Sequence, residues 1–345
     1  MKPRINTSFH KHFSPMLTFV AISALAVCAC LCACTPTDRK PAGPLEKITM
    51  ACAALPETAL AQVAQSQGYY REEGLEVTAH LHPYGKLALD EMLDGKADFA
   101  TVAETPFMFA AMRGEKIAVI ATIHVSNLGH AILARRDRGI HSLGDLKGKK
   151  IAATLGTTAH FFLDSMLVTH GIFRKDVKVV DLKAEKIPDA LVRGDVDAAV
   201  AFSPYMELTR QKLGDRGIMF RDKDIYRYTF NVVASRDVIR KNPAKVRKML
   251  RALVRAEEFV RENPATAQKV VSDFSKIDIA MLRDTWPNAR FAVNLDQSLI
   301  LSLEDESNWA IRGGLTGNSK VPNYLDFIYL DGLAAVKPGA VRILR

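Results

Sequence analysis

Short apolar runs alternate with stretches of helical spacing along most of the chain. The runs 48–53, 75–77 and 98–103 have the apolar character of buried strands, and 87–93 repeats apolar residues at helical intervals. Another stretch of helical spacing separates the first two runs. Strands that alternate with helices are typical of βαβ units. This part of the chain therefore predicts a βαβαβ unit.

The same order of elements occurs a second time. The runs 151–155, 177–180 and 197–201 predict strands, and 188–193 predicts a helix. Between the first two runs, apolar residues recur at helical spacing as far as Gly171, a residue type that favours the end of a helix. Two such units predict an α/β protein with two similar lobes, each with a mostly parallel sheet and helices on its faces.

The two units are most alike around their third strands. Gly-x-x-Asp, a small apolar strand and Thr/Ser-Pro-aromatic-Met occur at 95–108 and again at 194–206. Ligands of such sheets bind outside the carboxyl ends of the strands, so we expect a binding cleft between the lobes. The loops at those ends are residues 53–58, 83–86, 104–107, 156–160, 183–187 and 202–205.

The segments that follow each unit are extended and apolar. Residues 119–134 and 226–234 predict two strands that cross from one lobe to the other and back, which would form a hinge. From Pro243 the pattern becomes helical, and further helices are predicted at 278–286 and 297–312. An apolar C-terminal segment is expected to pack onto the body of the protein.

The N-terminal region has the pattern of an export signal. Basic residues precede an uncharged apolar run, 16–33, as in secretory signal peptides. Leu31-Cys-Ala-Cys34 resembles a bacterial lipobox, in which Cys34 would be acylated, and Cys30 is the alternative. The proline-rich residues 34–45 would then form a tether. An uncleaved transmembrane anchor is the competing interpretation of the apolar run.

Composition and charge narrow the class of partner. The chain is 48% hydrophobic and 25% charged, as in soluble globular proteins. Its net charge of +9 falls to +6 when the three basic residues of the signal region are removed, which favours anionic ligands or membrane surfaces. The basic residues are dispersed, so nucleic acid is not an expected partner. Cleavage would leave only Cys34 and Cys52, so we expect no internal disulfide and a buried Cys52.

Gly156-Thr157-Thr158 lies between the first strand and the first helix of the second unit. Glycine permits a sharp turn, and either threonine could cap the helix. The free N–H groups at such a helix start favour an anion. The stretch is therefore either an ordinary capped turn or an anion-binding site.

Several short motifs in a fixed order resemble one family of transport proteins. The motifs are Gly68-Tyr-Tyr70, Glu73-Gly-Leu-Glu-Val77, Gly95-x-x-Asp98, 134–140, 145–151 leading into Gly156-Thr-Thr, Gly194-x-x-Asp197 and Asn242-Pro243. Their order over about 46–345 resembles type II periplasmic solute-binding proteins of ABC importers. The similar branch takes up nitrate, sulfonates, taurine or thiamine pyrimidine precursors.

The resemblance implies a two-lobed type II periplasmic-binding-protein fold with a two-strand hinge and a C-terminal helical segment. The implied division is a signal peptide (1–33), a tether (34–45), lobe 1 (46–130), lobe 2 (131–228) and a return to lobe 1 with C-terminal helices (229–345).

The resemblance also implies a set of ligand-binding residues at the strand ends. These are Thr58, Gly85, Glu104, Thr105, Asn127, Gly156, Thr157, Thr158, His160, Ser203, Tyr205 and Tyr228. The carboxylate of Glu104 opposes a simple anion such as nitrate and favours a ligand with a cationic or hydrogen-bond-donor group. Alternatively, Glu104 pairs with a nearby lysine or arginine, or is solvated.

The function implied is that of a lipid-anchored, monomeric solute-binding protein on the periplasmic side of the cell envelope. It would deliver a sulfonate, an amino-sulfonate, a nitrate-like anion or a pyrimidine to a membrane permease with a cytoplasmic ATPase. An enzyme of the same fold in cofactor-precursor synthesis, or a ligand-sensing input module, are the alternatives.

Other chemistries have weaker support in the sequence. His80 and His82 would share one face of a strand, but a metal site needs a third or fourth ligand. His124, His130 and His160 are candidates to reach the cleft. Ser203 lacks a Gly-x-Ser-x-Gly elbow, and no phosphate-binding Gly-x-x-x-x-Gly-Lys loop occurs. We therefore expect no catalytic residues, no metal and no cofactor.

Overall fold

The computed structural model describes residues 43–344. The predicted signal peptide, the acylation candidates Cys34 and Cys30, and the tether up to residue 42 lie outside the described residues. Among residues 43–344, no helix combines the length and the apolar character that crossing a bilayer requires.

The strands of this part of the chain form two sheets. In chain order they are β1 (Glu46–Ala53), β2 (Leu75–His82), β3 (Phe99–Ala103), β4 (Ile117–Ser126), β5 (His130–Arg135), β6 (Lys150–Ala153), β7 (Lys178–Asp181), β8 (Ala198–Phe202), β9 (Gly217–Phe220), β10 (Tyr228–Ser235), β11 (Arg290–Asp296) and β12 (Val341–Arg342). Within the described residues, the first sheet has the order β12-β11-β4-β10-β3-β1-β2 and the second the order β7-β6-β8-β5-β9.

Helices pack against both sheets. In chain order they are α1 (Ala59–Ser66), α2 (Tyr69–Glu72), α3 (Gly85–Leu93), α4 (Glu104–Met112), α5 (Thr158–Thr169), α6 (Ile187–Arg193), α7 (Tyr205–Leu213), α8 (Arg236–Lys241), α9 (Pro243–Glu262), α10 (Pro264–Ser275), α11 (Ile279–Thr285), α12 (Gln297–Arg312) and α13 (Leu330–Val336). We call the first sheet with its helices the first lobe, and the second sheet with its helices the second lobe.

The predicted duplication is present in the two lobes. Strands β1, β2 and β3 are parallel in the first sheet, and β6, β7 and β8 are parallel in the second. The repeated Gly-x-x-Asp motif has the same role in both. Asp98 accepts a hydrogen bond from the backbone N–H of Thr49 (3.0 Å), and Asp197 accepts one from that of Lys150 (2.9 Å). Each aspartate thereby ties the start of its third strand to the first strand of its unit.

The two predicted crossings join the sheets. The chain leaves β4 of the first sheet and enters β5 of the second through residues 127–129, and it returns from β9 to β10 through residues 221–227. Because these crossing strands run antiparallel to their neighbours β3 and β8, the sheets are mixed rather than mostly parallel. The boundaries proposed at 130 and 228 coincide with the first residues of β5 and β10, and the exact division into lobes stays a prediction.

The C-terminal helices complete the first lobe. Helix α9 begins with Pro243 after Asn242, whose side chain accepts from the N–H of Lys245 (3.0 Å), a common helix start. Its apolar stripe, including Leu250 and Leu253, is fully buried in the core of the lobe. Each such leucine contributes about 1.5–3 kcal/mol to folding. The helices predicted at 278–286 and 297–312 are confirmed as α11 and α12.

Candidate ligand-binding cleft

A small cavity lies between the carboxyl ends of the strands of the two lobes. Its volume is about 30 Å³, space for about two water molecules. It is lined by Leu55, Glu57, Tyr84, Gly85, Lys86, Ala103, Pro106, His130, Thr157, Thr158, Phe202, Tyr228 and Phe230. The first lobe supplies most of these residues, and the second supplies the start of α5, the start of β5 and the end of β8. We call this cavity the cleft.

Glu57 is the carboxylate of the cleft. It lies in the 3-10 turn Pro56–Thr58 directly after β1 and is 3% exposed. Its Oε1 accepts a hydrogen bond from the hydroxyl of Tyr228 (3.1 Å), whereas its Oε2 is buried with no partner within residues 43–344. Burial raises the pKa of Glu57 to about 7. The side chain therefore has one oxygen available for a donor on a bound molecule.

Aromatic rings surround this carboxylate. Tyr84 packs edge-on against Phe202 with ring centroids 6.3 Å apart, and Tyr228 and Phe230 project from β10. Gly85 permits a close approach here, because a Cβ at this position would lie 2.9 Å from both the ring of Phe230 and the backbone of Val102. The result is an apolar slot whose walls suit a flat or compact ligand.

Helix α5 begins at the opposite side of the cleft. Gly156 turns the chain with a φ of 71°, and Thr157 occupies the cap position. The hydroxyl of Thr157 donates to the carbonyl of Thr154 (2.6 Å) rather than capping the helix, and that of Thr158 bonds to Nε2 of His130 (2.8 Å). The predicted side-chain cap is therefore wrong. The amides of the first turn are free of side-chain caps, which favours the anion-binding interpretation.

Two nitrogen groups complete the polar lining. Lys86 forms an ion pair with Asp90 at 3.0 Å and retains a partly exposed side chain. His130 is buried, and burial lowers its pKa to about 3, so its imidazole is neutral. The ring of His130 packs edge-on against that of Tyr228, with centroids 4.7 Å apart. The cleft therefore combines an acceptor at Glu57, a cation at Lys86 and a helix N-terminus.

The residues expected from the sequence are distributed over several environments. Gly85, Thr157, Thr158 and Tyr228 line the cleft. Gly156 lies beside it, and a Cβ there would be 3.7 Å from Lys86. His160 is one turn into α5 and packs on Trp309 of α12, with ring centroids 4.9 Å apart.

Glu104 does not line the cleft. It is fully buried at the start of α4, where Oε2 accepts from the N–H (2.8 Å) and the hydroxyl (3.0 Å) of Thr229. Oε1 accepts from the hydroxyl of Tyr226, whose oxygen also lies 3.0 Å from Oε1 of Glu306. Neither alternative, a lysine or arginine partner or a solvated loop, describes this position. Its partners lie on the return crossing, on β10 and on α12.

Other expected residues hold loops and lobes in place. The hydroxyl of Thr58 donates to the carbonyl of Ala53 (2.8 Å), and Ser203 donates to Glu207 (2.9 Å). Thr105 is fully buried beside Tyr226 (3.5 Å). The side chain of Asn127 donates to the carbonyl of Lys223 (3.1 Å), which ties the two crossings together. Tyr205 donates across the lobes to the carbonyl of Pro83 (3.3 Å).

Several lining residues were absent from the expected set. Glu57, Tyr84, Lys86 and Phe202 all fall within the strand-end loops that the sequence identified. The sequence identifies these loops as places where ligand-binding residues lie. It does not show which side chains in each loop point into the cleft. His130 is among the candidates to reach the cleft that the sequence analysis names. Phe230 lies two residues after Tyr228 on β10.

A second contact between the lobes lies outside the cleft. Trp309 of α12 donates from Nε1 to Oδ2 of Asp164 on α5 (3.0 Å). The ring of Phe161 packs against both Trp309 (centroids 5.2 Å apart) and Tyr226 (5.1 Å). Helix α5 therefore contacts the C-terminal part of the first lobe as well as the cleft.

The remaining candidate groups have local partners. His80 and His82 both bond to the carboxylate of Glu91, His80 at 2.6 Å. Within residues 43–344 no group of three or more histidine, cysteine or acidic side chains has the arrangement of a metal site. Cys52 is buried as expected, and burial raises its pKa to about 11, so its thiol is unreactive.

Comparisons with known proteins agree with this architecture. The family model described as NMT1/THI5 like matches residues 56–267. A presumptive binding protein of Brucella abortus is 23% identical over 266 residues, covering 75% of this chain and 79% of the relative. The 4-amino-5-hydroxymethyl-2-methylpyrimidine phosphate synthase THI13 of Saccharomyces cerevisiae is 25% identical over 227 residues, covering 61% and 66%.

Solved structures show the same fold. The periplasmic aliphatic sulphonate binding protein SsuA from Escherichia coli superposes with a TM-score of 0.70 at 17% identity, covering 83% of this chain and 98% of SsuA. The two-lobed fold predicted from the sequence is thereby confirmed.

Proposed function

This chain belongs to the NMT1/THI5-like family, and from that premise we propose that it is the lipid-anchored solute-binding component of an ABC importer. It captures a small polar ligand in the cleft on the periplasmic side of the envelope. It then delivers the ligand, as a monomer, to a membrane permease that is driven by a cytoplasmic ATPase. The names of the Brucella relative and of SsuA support a binding role.

The unpartnered Oε2 of Glu57 is the observation that carries the proposal. A buried carboxylate oxygen without a donor is costly, and a ligand N–H that approaches it removes that cost. The surrounding rings of Tyr84, Phe202 and Tyr228 favour a ligand with a flat or compact body. We therefore propose an aminopyrimidine or a taurine-like amino-sulfonate, and we rank simple anions such as nitrate below them.

The polar groups imply an orientation for such a ligand. Its donor faces Glu57, and any anionic end faces the first turn of α5 at Thr157 and Thr158, with Lys86 beside it. An amino-sulfonate has these two ends by its own chemistry. The amino group of an aminopyrimidine would donate a hydrogen bond to Glu57, and its ring would pack between the aromatic side chains of the cleft.

Capture requires movement of the lobes or of the lining side chains. At about 30 Å³ the cleft holds about two waters and is smaller than any of these ligands. Within residues 43–344 the crossings at 127–129 and 221–227 are the two connections between the sheets, so they are the segments that would change on opening. The ligand then stabilises the closed arrangement in which both lobes contribute contacts.

Calorimetric titration of the purified chain tests the proposal directly. We expect saturable binding of an aminopyrimidine or of taurine, and weaker binding of an alkanesulfonate without an amino group and of nitrate. Binding of nitrate alone would contradict the proposed ligand class, and no binding in a broad metabolite panel would contradict the function.

The relatives named as synthases make turnover the second candidate. We propose binding without turnover, and mass analysis of the ligand recovered after titration separates the two. Recovery of unchanged ligand supports the transport role, whereas a chemically changed product would support an enzyme. Binding of the chain to a membrane signalling protein, without binding to a permease, would instead favour a role as the input of a membrane sensor.

Replacing Thr158 by valine is expected to weaken binding roughly three- to tenfold. The change removes the hydroxyl that contacts His130 at 2.8 Å and that lines the cleft beside the first amides of α5. Calorimetry with the best ligand measures the loss. Thr169→Val, at the exposed end of the same helix, is the matched control, and an unchanged affinity in Thr158→Val would exclude this role of the hydroxyl.

The lipid anchor is tested by metabolic labelling with a fatty acid in the bacterial host. We expect the chain to incorporate the label at Cys34, so Cys34→Ala should lose it and Cys30→Ala should keep it. Loss of label in Cys30→Ala instead would move the acylated position. An unlabelled chain would favour the uncleaved transmembrane anchor.

A further inference from the structure

A basic recess lies on the first lobe outside the cleft. Its volume is about 230 Å³, several times the volume of about 30 Å³ that the cleft has. None of the residues that line it also lines the cleft. Its charged lining residues are Arg227, Arg290, Lys337 and Arg342 together with Glu257 and Asp296. We call it the arginine recess.

Strand pairing brings these arginines to one region of the first sheet. Arg290 of β11 pairs with Val125 of β4, which in turn pairs with Thr229 of β10, two residues after Arg227. On the other side of β11, Arg342 of β12 pairs with Asp296. Arginine side chains from the return crossing, β11 and β12 therefore line one recess, although they are far apart in the sequence.

The arginine side chains of the recess have no direct partner in the part of the chain that the structure describes. Among residues 43–344, the guanidinium groups of Arg227, Arg290 and Arg342 make no hydrogen bond and no ion pair within 4.0 Å. In contrast, Lys337 bonds to both oxygens of Glu257 at 2.8 and 2.7 Å, so those two charges cancel. The unpaired positive charge of the recess is therefore that of its three arginines.

Asp296 offsets one of the three positive charges. Its Oδ1 accepts from the N–H of Ser298 (3.0 Å) at the start of α12, and Arg227 and Arg342 help to lower its pKa. Three guanidinium groups and one carboxylate leave about two positive charges in a concave site. A group with two negative charges and several acceptor oxygens matches this balance.

We propose that the arginine recess binds a dianionic phosphate group. Arginine forks recognise phosphate through paired N–H···O bonds, and the neighbouring Asn294 and Ser298 supply further polar groups. The phosphate has two sources with the same chemistry. It is either free phosphate or a soluble phosphate monoester, or the headgroup of a phosphomonoester lipid.

Titration with inorganic phosphate at constant ionic strength tests the first source. We expect binding to the unchanged chain and a loss of roughly tenfold or more in the double variant Arg290→Gln/Arg342→Gln. Arg216→Gln, at an exposed arginine of the second lobe, is the control and should bind as the unchanged chain does. Equal binding by the double variant would overturn the site.

Vesicle flotation tests the second source. Vesicles of phosphatidylcholine doped with phosphatidic acid are compared with phosphatidylcholine alone, using the purified chain and the same variants. Binding that depends on phosphatidic acid and on Arg290 and Arg342 supports a lipid headgroup. Absence of arginine-dependent binding to both phosphate and the doped vesicles would overturn the proposal.

The cleft provides an independent check. Because the recess and the cleft have no lining residue in common, Glu57→Gln should leave phosphate affinity unchanged. Phosphate affinity that changes in Glu57→Gln and stays the same in the arginine variant would assign the phosphate to the cleft and overturn the recess. Failure of the recess leaves the importer function intact, and failure of the importer function leaves the recess intact.

Discussion

Replacing Glu57 by glutamine is expected to weaken binding of an aminopyrimidine or of taurine roughly 10- to 100-fold. The substitution keeps the shape of the side chain and can still accept from Tyr228. It removes the negative charge. It also places the N–H₂ group of glutamine opposite the hydrogen-bond donor of the ligand, where two donors cannot bond to each other. Calorimetry at neutral pH measures the loss, with circular dichroism to confirm that the variant is folded.

The matched control is Glu104→Gln. Glu104 is fully buried and bonded to Thr229 and Tyr226 rather than lining the cleft. We therefore expect the affinity of this variant to stay within about twofold of the unchanged chain, since no direct contact is lost. A larger loss in Glu104→Gln than in Glu57→Gln would reverse the assignment and return the ligand to the position expected from the sequence.

The pH dependence of binding is an independent readout of Glu57. A cationic ligand needs the ionised carboxylate, and the pKa of the unliganded side chain is raised to about 7. Affinity for taurine should therefore increase with pH up to about 7 and then level off, because above that pH no proton needs to be released. In Glu57→Gln this rise should disappear.

The second large effect concerns stability at the return crossing. Glu104 and Glu306 are both fully buried and share the hydroxyl of Tyr226, and Glu306 Oε2 has no partner within the described residues. Burial raises the pKa of Glu104 from 4.5 to about 7 and that of Glu306 well above its usual value. The folded chain therefore holds these protons more tightly than the unfolded chain does.

The free energy of unfolding should consequently fall as the pH rises. The stabilisation that protonated Glu104 provides is fully present below pH 4.5 and is lost as the pH passes through about 7. The loss is expected to be on the order of a few kcal/mol between pH 4.5 and pH 8. Urea denaturation at a series of pH values measures it.

Glu104→Gln should make this pH dependence smaller by about the same amount, because glutamine does not titrate. Glu258→Gln, at an exposed position on α9, should leave it unchanged. The variant must be compared with the unchanged chain because Glu57 also has a raised pKa and contributes to the pH dependence in both. If Glu104→Gln and the unchanged chain lose stability in parallel as the pH rises, the buried acid pair is not the cause.

The order of elements could be predicted because it depends on local patterns. The apolar runs of β1 and β6, the helical spacing of α3 and α5 and the paired Gly-x-x-Asp motifs are all short-range features. Because the same order of elements occurs twice, the sequence predicts that the strand ends of both units surround one cleft. The sequence alone therefore identifies the loops that contain Glu57, Tyr84 and Phe202.

The choice between Glu57 and Glu104 could not be made from the sequence. Both follow a buried strand closely, and both lie at or just before the start of a helix. Their directions differ because Glu104 bonds to Thr229 and Tyr226, which are 125 and 122 positions away along the chain. In the part of the chain that the structure describes, the carboxylate of Glu57 bonds only to Tyr228. Such long-range pairs depend on how β10 lies between β3 and β4. The arginine recess is hidden in the sequence for the same reason.

The contact between Trp309 and Asp164 has an optical consequence. The chain has two tryptophans, and Trp309 touches α5 of the second lobe through its indole N–H and through the ring of His160. Trp286 packs against Phe291 of the first lobe and also lines a pocket with Ser203 and Glu207 of the second lobe. Opening of the lobes would therefore expose the Trp309 indole to water and also change the surroundings of Trp286. Both tryptophans are thus intrinsic fluorophores at the boundary that moves, so the population of open molecules can be followed without a label.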